Sequence, residues 1–353
     1  MSAKQRAAKK RRKMIFFGIE VVLILAMLIV LYLVMSKTNT EGPKVTVLEP
    51  EELEISEEVV ENETMKGYMN VALFGVDARS NSQLYKGSRS DSIMIASINM
   101  DTGDIKLVSV YRDTYLNIGT DKYIKCNHAY SNGGAEQAVK MLNMNLDMDI
   151  KDFVTVSYKG LSEVIDGLGG VYIDVDSEEL KHINNYQIDI ADVLKTEYKP
   201  VTEPGYQLLD GLQATAYCRI RYTQGDDFKR AARQREVIKA IEEQAKKASL
   251  NTLTKVFNEA IDDVYTSIDS KDILDLLGNI AKYKIVDEGG FPEESMRTTT
   301  NLGAKGSSVI PVDLESNVVW LHQFLFDDQN YSVTSSVKEY SQHIKNDVAA
   351  YTE

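Results

Sequence analysis

One segment divides what this 353-residue chain can fold into. Residues 14–35 form a 22-residue run that is apolar apart from Gly18, Glu20 and Tyr32. Seven basic side chains precede it (Lys4, Arg6, Lys9, Lys10, Arg11, Arg12 and Lys13), with no acidic one among them. A helix of that length reaches about 33 Å, enough to cross the roughly 30 Å hydrocarbon core of a bilayer. Positive flanks stay cytoplasmic, so the sequence predicts residues 1–13 as a basic cytoplasmic tail, 14–35 as one transmembrane helix, and the rest of the chain outside the cell membrane. No small-x-small cleavage site closes the run, which favours a retained signal-anchor over a removed signal peptide. Glu20, near the cytoplasmic third, can snorkel.

Charge then limits the partners of the outer part. The whole chain carries a formal net charge of -13, and setting aside the seven basic residues leaves 33 basic against 53 acidic. A surface that acidic argues against nucleic acid. Residues 36–66 are poor in aromatics and hold Glu41, Glu49, Glu51, Glu52, Glu54, Glu57, Glu58, Glu61 and Glu63 around Pro43 and Pro50. Such a segment reads as an acidic extracellular stalk, extended by its own repulsion. Residues 67–326 are enough for one large α/β domain, and the polar residues 327–353 read as a loosely ordered tail.

Within 67–326 the apolar period switches repeatedly between two and about 3.6 residues. Strands are predicted at 69–75, 93–98, 105–110, 153–156, 171–175, 296–300 and 307–310. Helices are predicted at 135–146, 161–168, 209–217, from 228 onward with further helical pattern to 277, and at 314–326. The pattern specifies α/β with a mixed central β-sheet flanked by helices. Asp101-Thr-Gly-Asp104 reads as a hairpin turn. If that turn centres on Thr102-Gly103, Ile93 faces Arg112, and Asp91 lies on the same face as its diagonal neighbour. Asp91 and Arg112 then meet at one end of the sheet, and Asp77 joins them if the first strand runs parallel to the third. Ligands bind in crevices at such strand ends. Asp77 and Asp91 offer hard oxygen ligands that suit magnesium; equally, Asp77 can cap a turn and Asp91 can pair with Arg89.

The second cluster of charge runs from Cys218 to Arg235. It contains Arg219, Arg221, Arg230, Gln234, Arg233 and Arg235. Guanidinium offers a planar fork of donors that suits phosphate or carboxylate, although a run of this kind also serves as a solvated basic helix face. Arg219 and Arg221, read as extended, would lie on one side roughly 7 Å apart. Asp226 and Asp227 read as caps of the helix that follows, and Arg230, Arg233 and Gln234 sit three and four apart beside its apolar stripe through Val237, Ile238 and Ile241. Arg235 reads as surface. Cys126 and Cys218 form an even pair that permits a disulfide and equally fits two buried thiols. His128 reads as a loop-packing residue.

Six ordered strings carry a resemblance: Phe74-Gly-Val-Asp-Ala-Arg79, Gly87-Ser-Arg-Ser-Asp-Ser92, Val110-Tyr-Arg-Asp-Thr114, Lys125-Cys-Asn-His-Ala-Tyr130, Leu208-Leu-Asp-Gly-Leu-Gln-Ala-Thr-Ala-Tyr-Cys-Arg-Ile-Arg-Tyr222, and Gly225-Asp-Asp-Phe-Lys-Arg-Ala-Ala-Arg-Gln-Arg235. In this order the chain resembles the LytR-CpsA-Psr family. Tyr111 stands where proline often precedes the arginine. The resemblance implies a three-layer domain and a phosphotransferase that moves an anionic glycopolymer, such as teichoic acid or capsular polysaccharide, from a polyprenyl-pyrophosphate carrier to peptidoglycan at the membrane surface. It further implies that Asp77 and Asp91 hold Mg2+, with Mn2+ as a substitute, and that Arg89, Arg112, Arg219, Arg221, Arg230 and Gln234 bind the pyrophosphate. Arg79, Asp113 and Arg233 fall on motif positions with less defined roles. Asp91, Arg89 and Arg112 are the catalytic candidates, with Asp91 or a metal-bound group as the base.

Overall fold

The computed structural model describes residues 48, 52–78, 81–221, 226–260, 263–268 and 280–351. The expected transmembrane helix at 14–35, the basic tail and Arg79 lie outside these residues. Among the described residues no helix is long and apolar enough to cross a membrane.

The chain runs α1 (Glu57–Glu61), β1 (Tyr68–Val76), α2 (Asn81–Tyr85), β2 (Ser90–Asn99), β3 (Asp104–Val110), β4 (Tyr115–Asn117), β5 (Tyr123–Lys125) and α3 (His128–Leu146). There follow β6 (Asp152–Ser157), α4 (Tyr158–Gly167), β7 (Val171–Val175), α5 (Ser177–Leu194), β8 (Gly205–Leu209), α6 (Gly211–Tyr217), α7 (Asp226–Lys247) and α8 (Leu250–Ala260). The last elements are β9 (Val264–Thr266), β10 (Lys284–Phe291), β11 (Arg297–Asn301), β12 (Ser307–Pro311), α9 (Leu314–Phe326) and α10 (Ser335–Ala349).

Six strands form one mixed sheet in the order β10-β3-β2-β1-β6-β9. β1 pairs antiparallel with β2 and parallel with β6, while β3 pairs antiparallel with β2 and parallel with β10. The carboxyl ends of β1, β3, β6 and β10 therefore share one edge with the amino end of β2, which brings Asp77, Asp91, Arg112 and Tyr158 to one end of the sheet. Alternation along β1 builds two cores. Val71 and Leu73 face a layer that includes Val164, Ile183, Leu212 and Val237, whereas Ala72, Phe74 and Val76 face Val139, Leu142, Leu321 and Val337. The result is helices, sheet, helices: the mixed α/β domain expected from the sequence.

The differences have physical causes. The hairpin register lies two positions from the expectation: Met94 pairs with Ser109, which brings Ile93 level with Val110 rather than Arg112. The Asn99 side chain accepts from Asp101 N and Thr102 N at 3.0 and 3.2 Å and pulls the turn one residue toward β2. Strand β7 joins β8 in a separate two-stranded ribbon, and β9 and β10, which complete the sheet edges, carry too little apolar alternation to be read beforehand. The acidic stalk stops short of residue 66. Leu53, Val59 and Met65 are buried in the second core, and the Asn143 amide donates to Leu53 O at 3.0 Å. The carboxyl-terminal residues are not a loose tail: α10 buries Val337, Ser341 and Ile344, and Asp147 accepts from Thr334 N and Oγ1 at 2.9 and 2.8 Å. Polar composition hid an amphipathic helix whose apolar positions recur every three or four residues.

Candidate anion site at the strand ends

The arginine segment is aimed by the helix before it. Asp210 and Gln213 form a reciprocal capping box that starts α6, and Gly211 N donates to Asp166 Oδ1 at 2.6 Å. A Cβ at position 211 would meet Ser162 O at 2.1 Å, so only glycine lets α6 sit this close to α4. Beyond Tyr217 the chain is not extended as expected. Arg219 N and Ile220 N turn back onto Ala216 O and Tyr217 O at 3.0 and 3.3 Å. Ile220 is fully buried and anchors the turn, and Arg219 and Arg221 on either side of it reach the same pocket.

That pocket, of about 80 Å³, is lined by Asp91, Tyr158, Tyr186, Arg219, Arg221, Arg230 and Gln234, with Cys218 at its floor. Arg230 Nη2 donates to Asp91 O at 3.1 Å, and Gln234 Nε2 donates to Cys218 O at 3.3 Å. Asp227, read from sequence as a cap, instead lies between two guanidinium groups: Arg221 Nε is 3.0 Å and Arg230 Nη1 3.2 Å from its Oδ1. Two cations thus share one carboxylate oxygen. Among the described residues Arg221 Nη2 and Arg230 Nε are buried without a hydrogen-bond partner. Arg219 forms no ion pair among the described residues; its guanidinium carbon lies 5.0 Å from the Tyr158 ring centroid and 5.4 Å from that of Tyr186. Burial pushes the Arg230 guanidinium below its ordinary value, and the neighbouring Arg221 and Arg112 push it further against the pull of Asp227 and Asp91. A pocket holding excess positive charge and unmatched donors is built for an anion.

At its edge stands Asp91. Arg112 Nη1 is hydrogen-bonded to its Oδ1, and the Tyr158 hydroxyl donates to Oδ2 at 2.7 Å. Burial pushes the Asp91 carboxyl up, but Arg112, the Tyr158 hydrogen bond and Arg230 together hold it below the ordinary value. A carboxylate held ionised with both oxygens engaged is an ill-suited general base, since proton abstraction needs a group whose pKa lies near the working pH. Its observed contacts give Asp91 a role in fixing Arg112. Each of its oxygens keeps a further lone pair, so it retains capacity as a ligand. Asp77 lines the neighbouring cavity with Tyr158 and Arg219. Among the described residues no group of three or more His, Cys, Asp or Glu side chains is placed to hold a metal. Two carboxylates nevertheless fit the magnesium habit of one or two protein ligands, with water and substrate phosphate completing the shell.

Several expected members stand elsewhere. Arg233 is 2% exposed, its Nε donates to Glu179 Oε1 at 2.7 Å and its Nη1 to Ile220 O at 3.2 Å. It does not line the pocket: only about 60° round the helix from Arg230, it is held instead by Glu179 and the Ile220 carbonyl, which take its donors. Arg235 is not on the surface but buried, donating to Ser109 Oγ at 2.8 Å. Arg89 is exposed, does not line the pocket, and neighbours His128, whose imidazole is pushed down by burial and then by Arg89, Lys122 and Lys125. Asp113 pairs with Lys125 at 3.0 Å. Cys126 and Cys218 are free, buried thiols, with Cys218 pushed up by burial to about 12. Sequence reading missed Tyr158, Tyr186 and Asp227. The position of Tyr158 directly after the β6 run, at the carboxyl end of a strand, was the available signal.

Beside the arginine pocket lies an apolar cavity of about 90 Å³ between the sheet and helices α4 and α7, lined by residues such as Leu73, Val154, Leu161, Val237 and Ile241. It shares Tyr158, Cys218 and Gln234 with the arginine pocket, so a charged head and an apolar body meet at one mouth.

Comparison with known proteins bears on the family and the fold. The model of the LytR_cpsA_psr family matches residues 31–315. The chain is 31% identical over 228 residues to the polyisoprenyl-teichoic acid–peptidoglycan teichoic acid transferase TagU of Enterococcus faecalis, covering 63% of this chain and 69% of the relative. A solved protein of Streptococcus agalactiae is 23% identical with a TM-score of 0.61, covering 78% of this chain and 94% of that one. YwtF (TagT) of Bacillus subtilis, solved with bound octaprenyl pyrophosphate lipid, is 19% identical with a TM-score of 0.51, covering 88% and 98%.

Proposed function

The chain belongs to the LytR_cpsA_psr family, and on that premise we propose that it is a membrane-anchored phosphotransferase. In this reading it moves an anionic glycopolymer of the teichoic acid or capsular type from a polyprenyl-pyrophosphate carrier to peptidoglycan on the outer side of the membrane. One observation carries the reading: Arg219, Arg221 and Arg230 converge with Gln234 on a pocket where Arg221 Nη2 and Arg230 Nε lack hydrogen-bond partners among the described residues, beside an apolar cavity. Pyrophosphate joined to an isoprenoid is the ligand with both halves. The relatives support it by their names, and the run at 14–35 supports an anchor that would keep this mouth near the lipid's own membrane.

The chemistry follows from charge. An acceptor hydroxyl oxygen attacks the phosphorus that bears the polymer, the bond from that phosphorus to the bridging oxygen breaks, and polyprenyl phosphate leaves. The hydroxyl proton passes to water or to the departing phosphate. Negative charge grows on the bridging and non-bridging oxygens, and fixed guanidinium groups are the protein's means of stabilising it. Arg230 and Arg221 would exchange Asp227 for phosphate oxygens, Arg219 would close from its tyrosine platform, and Arg112, held by Asp91, would meet the second phosphate. Magnesium, held by Asp77 and Asp91, would neutralise further phosphate charge when bound; the donor chemistry of the two carboxylates supports this assignment.

The test is reconstitution of the full chain in lipid nanodiscs with a polyprenyl-pyrophosphate oligosaccharide, Mg2+ and peptidoglycan. Release of polyprenyl phosphate together with oligosaccharide linked to peptidoglycan is the expected result. Release without linkage would make the protein a pyrophosphatase; binding without release would make it a polymer-binding or regulatory protein. Both outcomes overturn the transferase reading.

A further inference from the structure

A third cavity, of about 480 Å³, opens on the other side of Tyr158. Its inner wall is Asp77, Tyr158 and Arg219, and its outer wall is the exposed face of α5, with Ile188, Asp189, Asp192 and Val193. Tyr158 lines all three cavities and Arg219 lines both this one and the arginine pocket, so the two adjoin at these side chains. Resting on the reading above, we infer that this arm is the acceptor subsite and that it takes an uncharged glycan segment, a run of N-acetylated hexosamines, rather than the anionic polymer of the donor.

Three observations carry the assignment. The first is position: the apolar cavity already accounts for the lipid side of the pyrophosphate and the arginine pocket for the phosphates, leaving this arm as a further route to the reacting atoms. The second is size, since 480 Å³ against about 80 Å³ in the arginine pocket leaves room for sugar rings. The third is charge and surface. Asp189 and Asp192 are exposed, lie one helical turn apart and make no ion pair among the described residues. Lys159, the other cation on this wall, is already engaged by Glu163 at 3.1 Å and Asp263 at 2.7 Å. Carboxylates accept hydrogen bonds from sugar hydroxyls but repel a polymer that repeats phosphate, so the rim selects against the donor chain. Ile188 and Val193, 50% and 45% exposed, give the apolar face on which the carbon side of a sugar ring packs.

The experiment measures binding apart from turnover. The full chain in nanodiscs is titrated with an N-acetylglucosamine tetramer, followed by NMR saturation transfer, and separately with octaprenyl pyrophosphate. In the double variant Asp189→Ala, Asp192→Ala the tetramer's dissociation constant rises about tenfold, a modest loss because both carboxylates are exposed and solvent-screened. Val193→Trp fills the arm from an exposed position and abolishes tetramer binding, while octaprenyl pyrophosphate affinity is unchanged in both. The inference is overturned if the wild-type chain does not bind the tetramer, or if both variants bind it like wild type. It is also overturned if the variants instead alter affinity for a polymer-bearing donor relative to the bare lipid pyrophosphate. Wild-type tetramer binding without any release of polyprenyl phosphate would uphold the glycan arm and sink the transferase reading, so the two failures are distinct.

Discussion

Arg230 and Arg233 lie three residues apart on one helix and are almost equally buried, at 6% and 2% exposure. One belongs to the anion site and the other to the frame. Arg233 meets Glu179, itself buried, in a 2.7 Å contact, and spends a second donor on a backbone carbonyl. Arg230 shares an oxygen of Asp227 with Arg221 and leaves its Nε unmatched among the described residues. The comparison teaches that burial does not separate structural from functional arginine; satisfaction does. A buried cation with its own carboxylate is complete, and one that competes for another's is waiting for an anion.

The largest effect that tests this distinction falls on the frame. Arg233→Met takes the guanidinium from buried Glu179 and leaves it the Asp176 N hydrogen bond at 2.9 Å and Lys229 at 4.0 Å, which costs about 3 kcal/mol. Thermal and urea unfolding should show that loss, and adding Glu179→Leu should recover most of it because two apolar groups replace the pair. Equal destabilisation by single and double variants would contradict the assignment.

Arg230→Met should behave in the opposite way. Removal relieves repulsion from Arg221 and Arg112 and frees Asp227 for Arg221 alone, so the unfolding midpoint holds or rises. Affinity for a polyprenyl pyrophosphate falls by roughly 30- to 150-fold, the worth of about 2–3 kcal/mol for a charge-assisted contact. A fall in stability with affinity intact would reverse the comparison made above.

The same contrast explains what the sequence could and could not disclose. The sheet, its flanking helices and the meeting of Asp91 with Arg112 were legible because apolar period and hairpin connection are local. The pocket members Arg219, Arg221, Arg230 and Gln234 were legible because they cluster in the chain. Arg233 could not be sorted from Arg230, since its partner Glu179 lies 54 residues away and belongs to a helix that the polar run of α5 concealed. Tyr158 was hidden for the same reason: it reaches Asp91 across 67 residues, a contact only the strand order creates. Arg89 shows the reverse, for adjacency to Asp91 in sequence did not place it among the residues that line the pocket.

Two aspartates repeat the lesson in the opposite charge. Burial pushes both carboxyls up, but Asp91 has guanidinium partners that hold it down, whereas Asp149 has chiefly the Asn70 amide at 2.6 Å and rises to about 6. A folded carboxyl above its unfolded value gives stability that is full below the ordinary pKa and is lost as pH rises from about 4 to about 6. Asp149→Asn keeps the acceptor and removes the charge, so at pH 7.5 it should stabilise the fold by about 3 kcal/mol, an advantage that vanishes by about pH 4. Asp91 has the opposite sign: its contribution is present above the ordinary range and lost only as pH falls through its lowered value, so it adds no pH dependence between about 5 and 8. Unfolding curves collected across that range for the Asp149→Asn chain decide the matter, and a variant as pH-sensitive as the parent would refute it.

The smallest effect tests the junction itself. Tyr158→Phe keeps the ring under Arg219 and the wall of all three cavities while deleting the donor to Asp91 Oδ2. Loss of one hydrogen bond to a charged group is worth about 1–2 kcal/mol, so kcat should fall by roughly 5- to 30-fold while KM for the lipid-linked donor holds, because Arg219 and the apolar contacts remain. With the hydroxyl gone, Asp91 keeps Arg112 and Arg230 but loses one of the groups that held its carboxyl down, so its pKa moves toward the ordinary value. The acid limb of the rate profile should then shift to higher pH. That shift separates positioning from packing, since a residue that only fills space would lower the rate without moving the limb. A raised KM with an unmoved limb would place the hydroxyl against the substrate instead of against Asp91.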